Sequence, residues 1–102
     1  MANGFKVLWT EHALRELSQT FDYLEATWTS KELRNLATAI RMKQRLIANN
    51  PYLFPIYDIK LNVRKVVVSQ YNTMYYRIRN GKIEVISFFS NRQAPENRDF
   101  QP

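Results

Sequence analysis

Residues 75–86 read YYRIRNGKIEVI: two runs of alternating side chains on either side of Asn80-Gly81. Both central residues of a type I′ turn need positive φ, which Asn and Gly adopt at the least cost. A two-residue loop here sets Arg79 opposite Lys82, Ile78 opposite Ile83, Arg77 opposite Glu84, Tyr76 opposite Val85 and Tyr75 opposite Ile86. Successive side chains alternate between the faces of a strand. One face is therefore predicted to collect Met74, Tyr76, Ile78, Ile83, Val85 and Phe89, and this is the core face. The other collects Tyr75, Arg77, Arg79, Lys82, Glu84, Ile86 and Phe88, with Arg92 beside them if the strand runs on.

Upstream of the hairpin, residues 63–69 (VRKVVVS) form a further strand, rich in β-branched side chains. The strands around the turn cover residues 72–79 and 82–90. Residues 51–58 (PYLFPIYD) hold two prolines and three aromatic residues and read as an aromatic loop. Before that loop the period changes from two to about 3.6. Leu14, Leu17, Phe21, Leu24 and Trp28 recur at steps of three and four, so residues 11–28 are predicted to be an amphipathic helix opened by Thr10. Thr29-Ser30-Lys31-Glu32 has the form of a capping box. It opens a second helix along Leu33, Leu36, Ala37, Ile40 and Ile47, which Asn49-Asn50-Pro51 stops. Residues 5–9 (FKVLW) form a first strand. The expected fold is α+β in the order β-α-α-β-β-β, a helical hairpin packed on one face of a mainly antiparallel sheet.

The chain of 102 residues fits a single domain, residues 1–102. With 15 Lys and Arg against 9 Asp and Glu, the net charge is +6, which favours polyanions or an acidic protein partner. There is no cysteine, which removes disulfides and thiolate metal sites. The start, MANGFKVLWTEH, has neither the apolar run nor the basic leader of a secretion signal, and no stretch reads as a membrane span. A cytoplasmic protein is expected. With only two glycines, phosphate-cradling glycine loops are absent. No cofactor and no metal is predicted.

The open face of the hairpin interleaves arginines with aromatic residues. Arginine clamps phosphates bidentately and aromatic rings stack on bases, so this composition suits RNA. The competing reading is a solvated face with an Arg77–Glu84 cross-strand pair, Tyr75 and Phe88 being covered by the C-terminal tail. Arg34, Arg41 and Arg45 line up on the polar side of the second helix with Thr38 between them, as a docking row or a solvated face. The final residues, 96–102, are polar and are expected to fray unless Phe100 docks.

The ordered set of motifs resembles the RelE/ParE toxin superfamily over nearly the whole chain. The resemblance rests on Ala13 and Leu17 after the opening strand, and on Asn49-Asn50-Pro51 with Phe54-Pro55. Val63-Arg64-Lys65, Tyr71, Tyr75-Tyr76-Arg77-Ile78, residues 83–89 and the ending Phe88-Phe89-Ser90-Asn91-Arg92-Gln93-Ala94-Pro95 complete it. The resemblance implies a toxin neutralised by a cognate antitoxin, whose helix would take a groove lined by Trp9, Leu33 or Tyr57. It also implies one of two activities. RelE-like members cut mRNA on the ribosome, which needs an acid, a base and cations around the phosphate. ParE-like members bind and poison DNA gyrase.

For the first activity the candidate groups are Arg64, Arg77, Arg92 and Tyr75. Lys60, Arg64, Lys65, Arg77, Arg79 and Arg92 are the candidate nucleic-acid or target-binding set. Residues 90–92, where some nuclease members carry a His-Tyr pair, read Ser-Asn-Arg, and the single histidine, His12, lies in the first turn of a helix. The missing proton-transfer pair turns the reading toward a ParE-like toxin that acts by binding. A ribosome-dependent mRNA endonuclease and a non-toxic RNA-binding module are the alternatives.

Overall fold

The computed structural model describes residues 4–27 and 29–90. In chain order these form β1 (Lys6–Trp9), α1 (Glu11–Thr27), α2 (Ser30–Asn49), β2 (Ile56–Asp58), β3 (Val63–Ser69), β4 (Asn72–Arg79) and β5 (Lys82–Ser90). The five strands make one sheet in the order β1-β5-β4-β3-β2. Only β1 runs parallel to its neighbour, β5; the other pairings are antiparallel. The α+β architecture is as the sequence predicts. The difference is β2, a short edge strand where an aromatic loop is expected. It pairs with β3 through Ile56 opposite Arg64.

Local chemistry sets the boundaries. Thr29 accepts the Glu32 N–H at 3.2 Å and the Glu32 carboxylate accepts the Thr29 N–H at 3.1 Å, completing the capping box. The Thr10 hydroxyl accepts the Ala13 N–H at the start of α1. Asn80 and Gly81 have φ of 52° and 72°, as a type I′ turn requires.

The hairpin pairs as predicted from Arg79–Lys82 up to Tyr76–Val85, and then departs. Tyr75 faces Ser87 rather than Ile86, so Ile86 is an extra residue in β5. Since the side-chain period is two, one inserted residue turns the rest of the strand over. Phe88 therefore enters the helix-side core with Met74, Tyr76, Ile83 and Val85. Phe89 joins Val63 and Tyr75 on the opposite face. These are the reverse of the faces expected for Phe88 and Phe89. Ala13 and Leu24 of α1 and Leu36, Ile40 and Ile47 of α2 close the helix-side core.

The bulge interrupts the ladder, and a carboxylate from α1 repairs it. Glu16 Oε1 accepts the Phe88 N–H at 3.0 Å and the Ser87 hydroxyl at 2.7 Å. A buried N–H without an acceptor costs about 1–3 kcal/mol. Glu16→Ala is expected to destabilise the fold by about 2 kcal/mol and Ser87→Ala by less. A double-mutant cycle on urea unfolding checks this, and additive losses would contradict a shared interaction.

Candidate functional site

Beyond the helices, the exposed face of the sheet carries rows of residues that face one another across the strands. One row runs Leu8, Glu84, Arg77 and the next Lys6, Lys82, Arg79. The Arg77 guanidinium donates from Nε to Glu84 Oε1 at 2.8 Å, and Arg79 lies 3.9 Å from the same oxygen. Both Arg77 and Glu84 are half-buried, so the pair fixes the arginine across the hairpin while adding only about 1 kcal/mol or less.

The remaining candidates scatter. Tyr75, expected on an open face, is fully buried, with the Tyr57 ring edge-on at 5.0 Å. Lys65, opposite Tyr75, holds its ammonium 5.7 Å from the Tyr57 ring centre. Lys60 is exposed in the turn after β2, which the Asp58 carboxylate builds by accepting the Lys60 and Leu61 N–H groups. Arg92 lies outside the described residues, as do Trp28 and the tail with Phe100.

Arg64 is not on this face at all. It stands opposite Tyr76, on the helix side, where the two residues hold the 51–55 loop. Arg64 donates to the Phe54 carbonyl at 2.7 Å and the Tyr52 carbonyl at 3.4 Å. Its guanidinium lies 5.3 Å from the Tyr52 ring centre. The Tyr76 hydroxyl donates to the Pro51 carbonyl at 2.7 Å. Burial pushes the Tyr76 phenol up to about 12, against the opposing pull of the Arg64 charge. A phenol so held is a fixed donor, poorly matched to proton transfer near neutrality.

His12, the only histidine, lies 3.3 Å from Glu16 on α1, the carboxylate that serves the β5 bulge. Among the described residues no group of three His, Asp or Glu is placed to hold a metal ion, and no helix is long and apolar enough to cross a membrane. Of the groove positions expected for a partner helix, Trp9 packs near Phe88 with its Nε1–H donated to Gln44. Leu33 lies against the core, and Tyr57 is exposed in the edge strand β2. Lys6 is the residue that sequence reasoning missed. Its place beside Lys82 follows from the parallel β1–β5 register, which no turn between the two strands announces.

No protein-family model matches the chain, and no curated protein is significantly similar to it in sequence. Solved structures do match. A chain of the chromosomal ParDE toxin–antitoxin system from P. aeruginosa superposes with a TM-score of 0.71 at 12% identity, over 87% of this chain and 98% of that one. A YoeB/ParE toxin from Agrobacterium tumefaciens superposes with a TM-score of 0.62 at 14% identity, over 85% and 99%. The described chain thus has the fold of the RelE/ParE toxins.

The Tyr76 phenol carries a pH signature. Its ionisation in the fold lies above the unfolded value of 10.0, so its contribution is whole below pH 10 and is lost as pH rises toward 12. The stability difference between the native chain and Tyr76→Phe is expected to shrink across that window, and to stay constant from pH 6 to about 9. Chemical denaturation at stepped pH measures it.

Proposed function

We propose that this protein is the toxin of a type II toxin–antitoxin module, ParE-like in mode. It arrests growth by binding its target, DNA gyrase being the candidate, and a cognate antitoxin holds it inactive in the cytoplasm. The observation that carries the reading is the fold, shared along most of both chains with a component of a ParDE system. The chemistry of the described residues supports binding over cleavage. RNA cleavage through a 2′-hydroxyl needs a base, an acid and a free cation around one phosphate. Here Arg77 is paired with Glu84, Arg64 is turned onto the 51–55 loop and Tyr75 is buried in the second core cluster. The one histidine sits against Glu16 on α1.

The antitoxin would meet the β2 edge. Ile56 and Tyr57 in β2, Ile59 just after it and Tyr52 and Leu53 in the loop before it are all exposed, an apolar composition that suits a protein contact. The RelE-like endonuclease remains the second reading, because one structural neighbour is described as a YoeB/ParE toxin.

Induced expression in a bacterial host tests the proposal. The expected result is growth arrest with altered plasmid supercoiling and intact mRNA, relieved when the neighbouring antitoxin gene is co-expressed. Arg77→Ala is expected to weaken the arrest if the open face meets the target. Arrest with mRNA cut during translation would make the chain an endonuclease, and unimpaired growth would sink both toxin readings.

A further inference from the structure

Lys6, Lys82 and Arg79 stand directly opposite one another on three adjacent strands, with neighbouring strands about 4.8 Å apart. Like charges placed so are destabilising. The nearest carboxylate, Glu84, is 2.8 Å from Arg77 and 3.9 Å from Arg79. Neither Lys6 nor Lys82 is paired with a carboxylate among the described residues. Such a row repels itself in the free protein and becomes favourable when an anion lies across it.

The other flank of β1 is basic too. The end of α2 is tied to this strand: the Phe5 N–H donates to the Ala48 carbonyl at 2.8 Å, and Trp9 donates to Gln44. Arg41 and Arg45 line a groove there with Val7. They lie four residues apart on α2, so about 6 Å along its axis. Arg41 has a hydrogen bond to Thr38, and neither arginine is paired with a described carboxylate. The β1 edge therefore carries unneutralised cations on both sides.

We infer that the β1 edge binds the phosphodiester backbone of a nucleic acid, with Lys6, Lys82 and Arg79 on one flank and Arg41 and Arg45 on the other. An acidic peptide is the rival polyanion, and the apolar content of the edge disfavours it. Peptides dock by seating side chains in apolar pockets beside the charges, and here the only exposed large apolar residue of β1 is Leu8. No exposed aromatic ring of β1 offers a stacking platform for bases. Recognition is through phosphates alone and independent of sequence. This goes beyond the toxin reading and is separable from it, since binding is measured in vitro whether or not the chain arrests growth.

The test is fluorescence anisotropy of the intact protein with a labelled DNA duplex of about 20 base pairs and an RNA of similar length, from about 50 to 200 mM salt. Binding is expected to weaken linearly in log–log form, and the duplex and RNA arms report which source of phosphodiester is preferred. Lys6→Ala/Lys82→Ala and Arg41→Ala/Arg45→Ala should each lower the salt slope by about 2 and the affinity at least tenfold. Lys6→Arg/Lys82→Arg should restore both. Arg15→Ala/Lys31→Ala removes the same net charge elsewhere and should change little. Three results would overturn the inference: no binding at the lowest salt, an equal loss in the Arg15/Lys31 variant, or tighter binding of polyglutamate than of either nucleic acid. Circular dichroism of each variant separates misfolding from lost contacts.

Discussion

One carboxylate on α1 makes an irregular strand tolerable, and the exchange of faces at the end of β5 depends on it. Ile86 adds a residue to β5 that has no partner on β4. Left alone, the insertion would strand an N–H inside the protein. Glu16 accepts that N–H and the neighbouring serine hydroxyl, joining helix to sheet where the strand turns over. Beyond that point Phe88 points at the helices and Phe89 away from them. The second cluster around Val63 and Tyr75 then has an aromatic member that a regular strand would have sent to the first.

How far the sequence could be read follows from which interactions are local. The type I′ turn and the capping box are each written within a few residues and occur where they were expected; the stripe of the first helix holds at Leu24 but is shifted at its start, where Ala13 is buried and Leu14 exposed. The bulge is different. Nothing around Ile86 resembles a turn or a breaker, and its support comes from Glu16, seventy-odd residues earlier in the chain. A period-two count therefore ran correctly to Val85 and exchanged Phe88 and Phe89 after it. The same distinction governs β1, whose parallel register against β5 crosses most of the chain. Lys6 could be read as exposed, but not as the neighbour of Lys82.

The candidate site separates in the same way. Arg77, Arg79 and Lys82 share a face because hairpin geometry puts them there. Arg64 leaves that face because residue parity along β3 puts it opposite Tyr76. Cations that look equivalent in a list of basic residues thus divide into those that hold the protein together and those with no ionic partner among the described residues. Arg64 and Arg77 belong to the first kind and Lys6 and Lys82 to the second. A contact surface is better sought among the second kind, since removing them costs the fold little.

The loop after α2 is held in an unusual way. Three of its backbone carbonyls, from Pro51, Tyr52 and Phe54, are gathered by side chains of Tyr76 and Arg64 on the strands. Main-chain groups are common to every residue type, so the shape of this segment depends weakly on what its exposed positions carry. Leu53 stands free of that duty at the surface, while the exposed Tyr52 ring lies against Arg64. A lineage can therefore rewrite the exposed positions while the strands keep the frame unchanged. Under the toxin reading proposed above, this segment is where pairing with an antitoxin would diverge at least risk to folding.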